Sequence, residues 1–158
     1  MIVKHIPIRT LNKSSFSGLV QYITNAQDKN ERVGDVCITN CLSEHHEWAV
    51  KEVELTQRQN TRSKLDKTYH MLVSFRAGEN PSADTLKSIE VQLCAALGYQ
   101  EHQRVSAVHR DTDHLHIHIA INKVHPVKLT VHKPFRDYKI LADAALKLEQ
   151  EYGLDHDN

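Results

Sequence analysis

Hydrophobic and polar residues alternate most regularly along the segment from 114 to 122. Its apolar positions recur at every second residue and are Leu115, Ile117, Ile119 and Ile121. Histidines precede the first three of these apolar residues, at His114, His116 and His118. A period of two predicts a half-buried β-strand, whose successive side chains point to opposite faces of a sheet. The aliphatic residues then face a core, and the three histidines lie in a row on the other face.

A polar turn precedes this strand and predicts a hairpin. Arg110–Asp113 has the composition of a turn, so Gln103–His109 can fold back as an antiparallel partner strand. With a four-residue loop, His109 lies opposite His114 and diagonal to His116, within side-chain reach. A single histidine on a strand is usually a surface or hydrogen-bonded residue, but here four of the twelve histidines fall within ten residues. Because neutral imidazole is a good metal ligand, while protonated neighbours repel each other, we predict a metal site on this face.

The segment from 68 to 75 alternates in the same way and predicts a second strand of the same sheet. One of its faces carries Tyr69, Met71, Val73 and Phe75, and the other carries His70, Leu72 and Ser74. If this strand pairs beside the histidine strand, His70 and Ser74 lie on the histidine face. A serine in a strand is most often structural, so its position is what makes Ser74 a candidate site residue.

The remaining segments predict two more strands and four helices. The strands are Ile2–Ile8, at an edge because Pro7 cannot donate to a ladder, and Val33–Asn40. The first helix is capped by Ser14 or Ser15, buries Phe16, Leu19, Val20 and Ile23, and carries Tyr22 at the margin of that stripe. The second runs from Ser43 to Gln59 with Trp48, Val53 and Leu55 as core candidates, the third from Asn80 and Pro81 to Gly98, and the fourth from Phe135 to Tyr152, with Gly153 ending it.

Strands and helices mix here without strict alternation. This pattern predicts an α+β fold with a central antiparallel sheet, helices on one face and an open histidine face. The length of 158 residues fits one domain with a real core. There is no apolar run long enough for a membrane span or a signal peptide, and the three cysteines lack paired spacing, so we expect reduced thiols in a cytoplasmic protein.

The formal charge of the chain is zero, but the charges are unevenly distributed along it. From Arg104 to Lys139 seven Lys or Arg face three Asp, a surplus of +4, and from Ile140 to Asn158 five acids face one Lys, a deficit of −4. We expect a positive face beside the histidines, which would suit a nucleic-acid partner. Two solvated helix faces would explain the same distribution, and charge alone does not separate these readings.

Three segments resemble the sequence motifs of plasmid relaxases, in order and in spacing. The pattern His109-x-Asp111-x-x-x-x-His116-x-His118-x-x-x-Asn122 resembles their third motif, residues 14–24 resemble the first, and residues 68–78 the second. The chain is similar over nearly its whole length to the P-type mobilisation class of the His-hydrophobic-His (HUH) nuclease superfamily. Within that class it is most similar to the N-terminal relaxase domains of conjugative transfer proteins, whose fold is an α+β relaxase fold with a ferredoxin-like palm.

The resemblance implies a reaction and the residues that carry it. A relaxase cuts one DNA strand at a transfer origin by transesterification, leaving a 5′-phosphotyrosyl bond and a free 3′-OH. Tyr22 would be the nucleophile, and Ser74 would contact the DNA near the scissile phosphate. His116 and His118 would be metal ligands. Because a phenol with a pKa of about 10 is only about 0.1% ionised at pH 7, the nucleophile would need a base or a nearby cation.

The third metal ligand is open between two histidines. The family pattern points to His109, while His114 lies on the same predicted face and would serve equally by geometry. Ligands drawn from one flat strand converge poorly, which favours His109 on the neighbouring strand. Asp111 or Asp113 would orient one imidazole, and Asp113 is our candidate among the catalytic residues.

The resemblance also implies cofactors, partners and location. We expect a divalent metal ion, Mg²⁺ or Mn²⁺ by the family's habit, with Zn²⁺ or Ni²⁺ as in vitro substitutes because imidazole suits them better. We expect single-stranded DNA at a plasmid transfer origin, accessory relaxosome proteins and a type IV secretion coupling protein as partners, and no membrane. The donor cytoplasm is the expected location, from which the covalent DNA complex is exported. Residues 1–158 would be the catalytic domain of a longer protein.

Two other functions fit parts of the pattern. In a non-catalytic, metal-dependent module for binding single-stranded DNA, Tyr22 would only stack on a base. A zinc hydrolase of small molecules would need a general-base carboxylate in the metal site, and the sequence contains no H-E-x-x-H pattern. A covalent protein–DNA adduct that survives denaturation separates the relaxase from the binding module.

Overall fold

A computed structural model describes residues 1–7, 15–25, 32–110 and 113–156, with the backbone alone at residue 32. Its strands are β1 (Ile2–His5), β2 (Arg32–Thr39), β3 (Thr68–Ser74), β4 (Arg104–Arg110) and β5 (Leu115–Asn122). Its helices are α1 (Phe16–Thr24), α2 (His46–Gln59), α3 (Ala83–Ala96) and α4 (Asp137–Tyr152). Both strands predicted from strict alternation, β3 and β5, are present.

The strands form one antiparallel sheet in the order β1-β3-β5-β4-β2. The histidine strand β5 is therefore central, between β3 and β4. The α+β class, the antiparallel sheet and the edge position of β1 are confirmed. Because β3 pairs with β5 so that Ser74 lies opposite His116 and His70 opposite Ala120, both candidates of the second motif share the histidine face.

One face of the sheet carries the larger core, covered by α3 and α4. The strand residues of this core include Tyr69, Met71, Val73, Ile117, Ile119 and Ile121, and its helix residues include Leu86, Ile89, Leu93, Leu141, Ala145 and Leu148. A buried ion pair closes one end of it, where Arg104 Nε donates to Glu90 Oε2 at 2.8 Å. Since both partners are buried, removing either would leave the other as an unpaired charge in apolar surroundings.

The other face is partly covered, contrary to the expected open histidine face. Helices α1 and α2 pack there on a second core that contains Val105, Ala107 and Ala120 of the sheet. These three residues alternate with the inward residues of the first core and share a face with the histidines. Their small apolar side chains pack against the apolar stripe of α1. The histidine face is therefore half apolar, which brings a helix next to the histidines.

The predicted register of the histidine hairpin is wrong by two residues. His109 pairs with His116, and Arg110 pairs with Leu115, so that His114 precedes the strand instead of facing His109. The strand begins at Leu115, and His114, just before it, donates Nδ1–H to the carbonyl of Phe75 at 3.0 Å. Two histidines of neighbouring strands are thereby directly opposed.

Helix α1 begins where one of the two predicted caps lies. Ser15 is its N-cap, and the hydroxyl accepts a hydrogen bond from Gly18 N at 3.0 Å. The other candidate, Ser14, and the end of the first predicted strand at Ile8 lie outside the described residues. The predicted buried stripe of α1 is confirmed at Phe16, Leu19, Val20 and Ile23.

The other helices begin later than predicted. Helix α2 is capped by His45 instead of Ser43, and α3 is capped by Ser82 two residues after Asn80. Helix α4 begins at Asp137, because Arg136 has a left-handed backbone with φ of 52° and leaves Phe135 outside the helix. None of the described helices is long and apolar enough to cross a membrane.

Two of the predicted core residues of α2 are exposed. Trp48 and Leu55 are 61% and 58% exposed, whereas Val53 is buried as predicted. The helix buries instead its face of small residues, at Ala49, Val50, Val53 and Thr56. A large side chain on a helix is not buried unless its face meets a partner, and here the small face meets α1.

Candidate metal centre and tyrosine site

Three histidine side chains converge on the sheet face beneath α1. His109 comes from β4, and His116 and His118 come from β5. One ring nitrogen of each lies within 4.8 Å of the other two, so the group can hold a metal ion. The ring centroids are 5.1 Å apart for His109 and His116, 4.6 Å for His109 and His118, and 5.1 Å for His116 and His118. The structure therefore brings His109, and not His114, to the other two histidines.

The chemistry of this donor set suits a divalent cation. Three neutral nitrogen ligands on one side of an ion leave positions open for oxygen atoms of a substrate, as in open catalytic sites. His109 and His118 are 1% and 8% exposed, while His116 is half-buried at the mouth of the group. Burial and the neighbouring imidazoles of His70, His109 and His116 lower the pKa of His118 to about 2. His118 is therefore neutral, as ligation requires, at every physiological pH.

Helix α1 fixes the ring of His109. The Nε2 atom of His109 lies 2.6 Å from the carbonyl oxygen of Ile23. Since a carbonyl can only accept, Nε2 carries the proton, and Nδ1 is the nitrogen that a metal would take. Ile23 belongs to the last turn of α1, where carbonyl groups lack helical partners and the helix dipole favours positive charge. The helix end that precedes the site thus stabilises a histidine within it.

The second buried histidine of the group, His118, is also hydrogen-bonded through its ring. Its Nδ1 atom lies 2.9 Å from Nε2 of His70, which is itself buried on β3. The two rings are tilted by 30° with centroids 5.1 Å apart. The alternation of β3 predicts His70 on the histidine face but gives it no role. Only the register of β3 against β5 reveals this contact, and no local signal in the sequence carries it.

Tyr22 approaches the histidines from α1. Its ring meets His118 edge to face, with the centroids 6.0 Å apart and the planes at 88°. The ring is half-buried and packs against the second core, next to the buried Ile23. The position predicted from the apolar stripe, at its margin, is therefore the position that reaches the histidine group.

The other predicted site residues lie at different places. Ser74 is half-buried and pairs with His116 at the end of β3, on the histidine face. Asp113 is exposed in the bend before β5, and Asp111 lies outside the described residues. No described acidic residue joins the histidine group.

Asn122, the last residue of the third motif, lies far from the histidines. It is fully buried at the opposite end of β5, where its amide joins three segments of the chain. Its Oδ1 accepts from Gln57 of α2 at 3.2 Å and from the backbone of Val124 at 2.9 Å, and its Nδ2 donates to Gln103 at 3.0 Å. This part of the motif therefore stabilises the fold and contacts none of the three histidines.

Comparison with known proteins gives the same answer as the motifs. A family profile described as "Relaxase: MobA/VirD2-like, nuclease domain" matches residues 22–154. Two proteins named Protein TraI from Escherichia coli are each 58% identical over all 158 residues, which make up 22% and 21% of their lengths. Protein MobA from Acidithiobacillus ferrooxidans is 37% identical over 98 residues, 61% of this chain and 24% of its own length.

The matched region contains the whole site, from Tyr22 on α1 to the histidines of β4 and β5. The chain spans about a fifth of the length of the TraI relatives. The resemblance inferred from the three motifs is confirmed by both kinds of comparison. The chain belongs to the MobA/VirD2-like relaxase family and carries its nuclease domain.

Proposed function

We propose that this chain is the catalytic domain of a plasmid relaxase, which cuts and rejoins one strand of DNA at a transfer origin. The observation that carries the proposal is the position of Tyr22, whose ring lies 6.0 Å from His118 at the edge of a group of three convergent imidazoles. A nucleophile and a cation site side by side are what transesterification of a phosphodiester needs.

The reaction balances without any co-reactant. The hydroxyl oxygen of Tyr22 forms a bond to phosphorus while the bond from phosphorus to the 3′ oxygen breaks. The phenol proton leaves Tyr22, and the departing 3′ oxygen ends as a hydroxyl. The phosphotyrosyl bond replaces the phosphodiester bond, so the same steps in reverse rejoin the strand. A water nucleophile would hydrolyse the strand and lose that reversibility.

The side chains of the site divide this work. His109, His116 and His118 would hold the ion, with His109 as the third ligand, because His114 is tied to the carbonyl of Phe75 outside the group. When bound, a divalent ion supplies positive charge to a non-bridging phosphate oxygen. Ser74, which lies opposite His116 in the sheet, would donate a hydrogen bond to the same phosphate.

Asp113 is proposed as an orienting carboxylate, and it lies exposed in the bend before β5. The two buried imidazoles already have other partners, the carbonyl of Ile23 for His109 and His70 for His118. The half-buried His116 is the imidazole that Asp113 could orient.

The identity of the metal follows from two arguments of different kinds. Three nitrogen donors favour Zn²⁺, Ni²⁺ or Cu²⁺ over Mg²⁺ by affinity, whereas Mg²⁺ and Mn²⁺ are abundant and prefer the phosphate oxygens of a substrate. We propose that Mg²⁺ or Mn²⁺ supports cleavage and that Zn²⁺ or Ni²⁺ binds tightly in vitro.

The remaining proposals concern the whole protein. The chain matches 22% of the length of a TraI relative, and we propose that residues 1–158 are one domain of a longer relaxase. Its partners would be single-stranded origin DNA, accessory relaxosome proteins and a type IV secretion coupling protein. It would act in the donor cytoplasm, and the covalent DNA complex would pass to the recipient.

A covalent adduct tests this function against a module that only binds DNA. The protein is incubated with labelled single-stranded oligonucleotides that cover the transfer origin, with Mg²⁺ or Mn²⁺ or with EDTA, and denatured before electrophoresis. We expect a metal-dependent adduct that Tyr22→Phe abolishes, by at least about 10³-fold, while DNA affinity stays within about twofold. Tyr138→Phe, at an exposed tyrosine of α4, is the matched control and should form the adduct normally. Binding without any adduct would leave only the binding module.

A further inference from the structure

His70 lies on β3, two residues before Leu72, which pairs with His118. Its Nε2 atom lies 2.9 Å from Nδ1 of His118, and the two side chains are 6% and 8% exposed. In the register of the sheet, His70 pairs with Ala120, so both side chains point to the histidine face. A buried imidazole in hydrogen-bond contact with a proposed metal ligand is a feature that the predicted roles do not use.

When a metal is bound, only one of the two rings can be the donor in the hydrogen bond between His118 and His70. A hydrogen bond between two neutral imidazoles needs one N–H and one lone pair, because each neutral ring has a single proton. With Nδ1 of His118 engaged by His70, a metal would take Nε2 of His118, and the proton of this ring would then be on Nδ1. Nδ1–H therefore donates to Nε2 of His70, whose own proton is on its Nδ1.

We propose that His70 is a positioning residue, which orients His118 and selects the tautomer that leaves its Nε2 lone pair for the metal. This inference rests on the proposed metal site. Metal-bound histidines nearly always donate their other N–H to a fixed acceptor, and loss of that acceptor weakens metal affinity by about 10- to 100-fold. Here the acceptor is a neutral imidazole, where a carboxylate or a backbone carbonyl is the usual partner.

The two buried ligands of the site are then held by two different elements, α1 and β3. The carbonyl of Ile23 in α1 accepts from Nε2–H of His109, and His70 in β3 accepts from Nδ1–H of His118. One ring presents Nδ1 to the centre of the group, and the other presents Nε2. A neutral acceptor adds no charge to the site, so the cation keeps its full effect on a phosphate oxygen.

A purely structural role for His70 is the competing explanation, since its side chain fills space on a buried face. Two substitutions separate the explanations. His70→Leu keeps the bulk and removes the acceptor, whereas His70→Gln places an amide oxygen close to the position of Nε2 and restores it. A packing role predicts similar metal affinity for both variants, and a positioning role predicts loss for Leu and recovery for Gln.

Calorimetric titration of the metal-free protein with Mn²⁺ is the first experiment. We expect His70→Leu to bind at least about 10-fold more weakly than the unmodified protein and His70→Gln to bind within about threefold of it. The control is His102→Leu, at another buried histidine, which donates Nδ1–H to the carbonyl of Asn122 at 2.7 Å at the opposite end of the sheet. This variant should keep its Mn²⁺ affinity.

Each outcome separates the inference from the proposed function. If the unmodified protein does not bind Mn²⁺, or if His116→Ala binds it equally well, the metal site itself is wrong. If the unmodified protein binds and His70→Leu binds equally well, the metal site stands and the role of His70 is overturned.

A spectroscopic experiment needs no substitution and so does not depend on the folding of a variant. With Zn²⁺ bound, nitrogen-15 correlation spectra of the histidine rings should show His118 protonated at Nδ1 and ligated through Nε2. His109 should show the reverse pattern, with its proton on Nε2. Ligation of His118 through Nδ1 would contradict the proposal, because that atom would then be unavailable to His70.

Discussion

At the scale of single residues, the site depends on which ring nitrogen each histidine offers. The proton of His109 points to the carbonyl of Ile23, and Nδ1 of His118 faces His70. Ile23 follows Tyr22 directly, so the proposed nucleophile and one proposed ligand are fixed by the same turn of α1. A change that moves the end of this helix should therefore disturb metal binding and strand cleavage together.

The choice between His109 and His114 gives a prediction at this scale. His109→Ala should weaken Mn²⁺ affinity by at least about 10-fold, because it removes one of three convergent nitrogens. His114→Ala should leave the affinity within about twofold, because the ring of His114 lies outside the histidine group and is hydrogen-bonded to the carbonyl of Phe75. Calorimetry on both variants measures the difference, and the metal dependence of strand cleavage should follow the same order. Loss of the metal in His114→Ala with retention in His109→Ala would reverse the assignment.

At the scale of elements, the sequence determines what is local, and the packing of the sheet determines the rest. Strict alternation was sufficient to predict β3, β5 and the face of Ser74, because the period of a strand is a local property. The hairpin register was not predictable from the alternation, because a shift of two residues leaves every side chain on the same face. The position of α1 on the histidine face was missed for a similar reason. It depends on Val105, Ala107 and Ala120, whose common face appears only after pairing.

The candidate site also has some features that the local sequence predicts and others that depend on distant contacts. The histidine row and the position of Tyr22 follow from periodicity, and the roles of the motif residues follow from the family resemblance. The partners of the rings do not, since Ile23 lies 86 residues and His70 lies 48 residues away from the histidines they contact. Two of the three predicted core residues of α2, Trp48 and Leu55, are exposed because a helix of mixed character can bury either face, and tertiary contacts choose between them.

The buried histidines predict how folding stability depends on pH. Burial lowers the pKa of His102 and of His118 below the ordinary value of 6.5. Below about pH 6.5 the unfolded chain therefore binds more protons than the folded one, and folding stability falls with decreasing pH, by at most about 1.4 kcal/mol per pH unit for each group. Above that pH these groups contribute no dependence. Urea unfolding in EDTA at pH 7.5 and pH 5.5 should show the loss.

The variant His102→Asn tests the source of this pH dependence. Its amide can replace the donor Nδ1–H to the carbonyl of Asn122, but it has no proton to gain. It should lose less stability than the unmodified protein between pH 7.5 and pH 5.5, whatever its absolute stability. Equal urea midpoints for the unmodified protein at both pH values would show that these histidines are as easily protonated when folded as when unfolded.

At the scale of the whole molecule, the cations of the surplus are divided between the two ends of the strands. Arg110 is exposed next to His109, Arg104 is neutralised inside the core by Glu90, and the other exposed cations follow the far end of β5, at Lys128, Lys133, Arg136 and Lys139. His116 lies near the other end of β5. At about 3.4 Å per residue, it is roughly 20 Å from Asn122, the last residue of the strand. A DNA strand that binds both regions must therefore extend well beyond the scissile phosphate.

This arrangement predicts the form of the substrate and its dependence on salt. The protein alone should cut single-stranded DNA and should cut intact linear duplex poorly, because bases must be unpaired to reach the half-covered sheet face. Affinity should fall as salt rises, and Lys128→Gln with Lys133→Gln should reduce the slope of log affinity against log salt by up to about 1.4. Lys147→Gln, in the acidic segment, should leave the slope unchanged. Equal cleavage of duplex and single strand would contradict this account.

The most direct test of the central claim is to identify the residue that becomes linked to DNA. The covalent complex formed with single-stranded origin DNA is digested with nuclease and protease, and the modified peptide is sequenced by mass spectrometry. We expect a nucleotide on Tyr22, linked through its 5′ phosphate, and on none of the other four tyrosines. A nucleotide on Tyr138 or Tyr152, or a strand cut with both ends free, would contradict it.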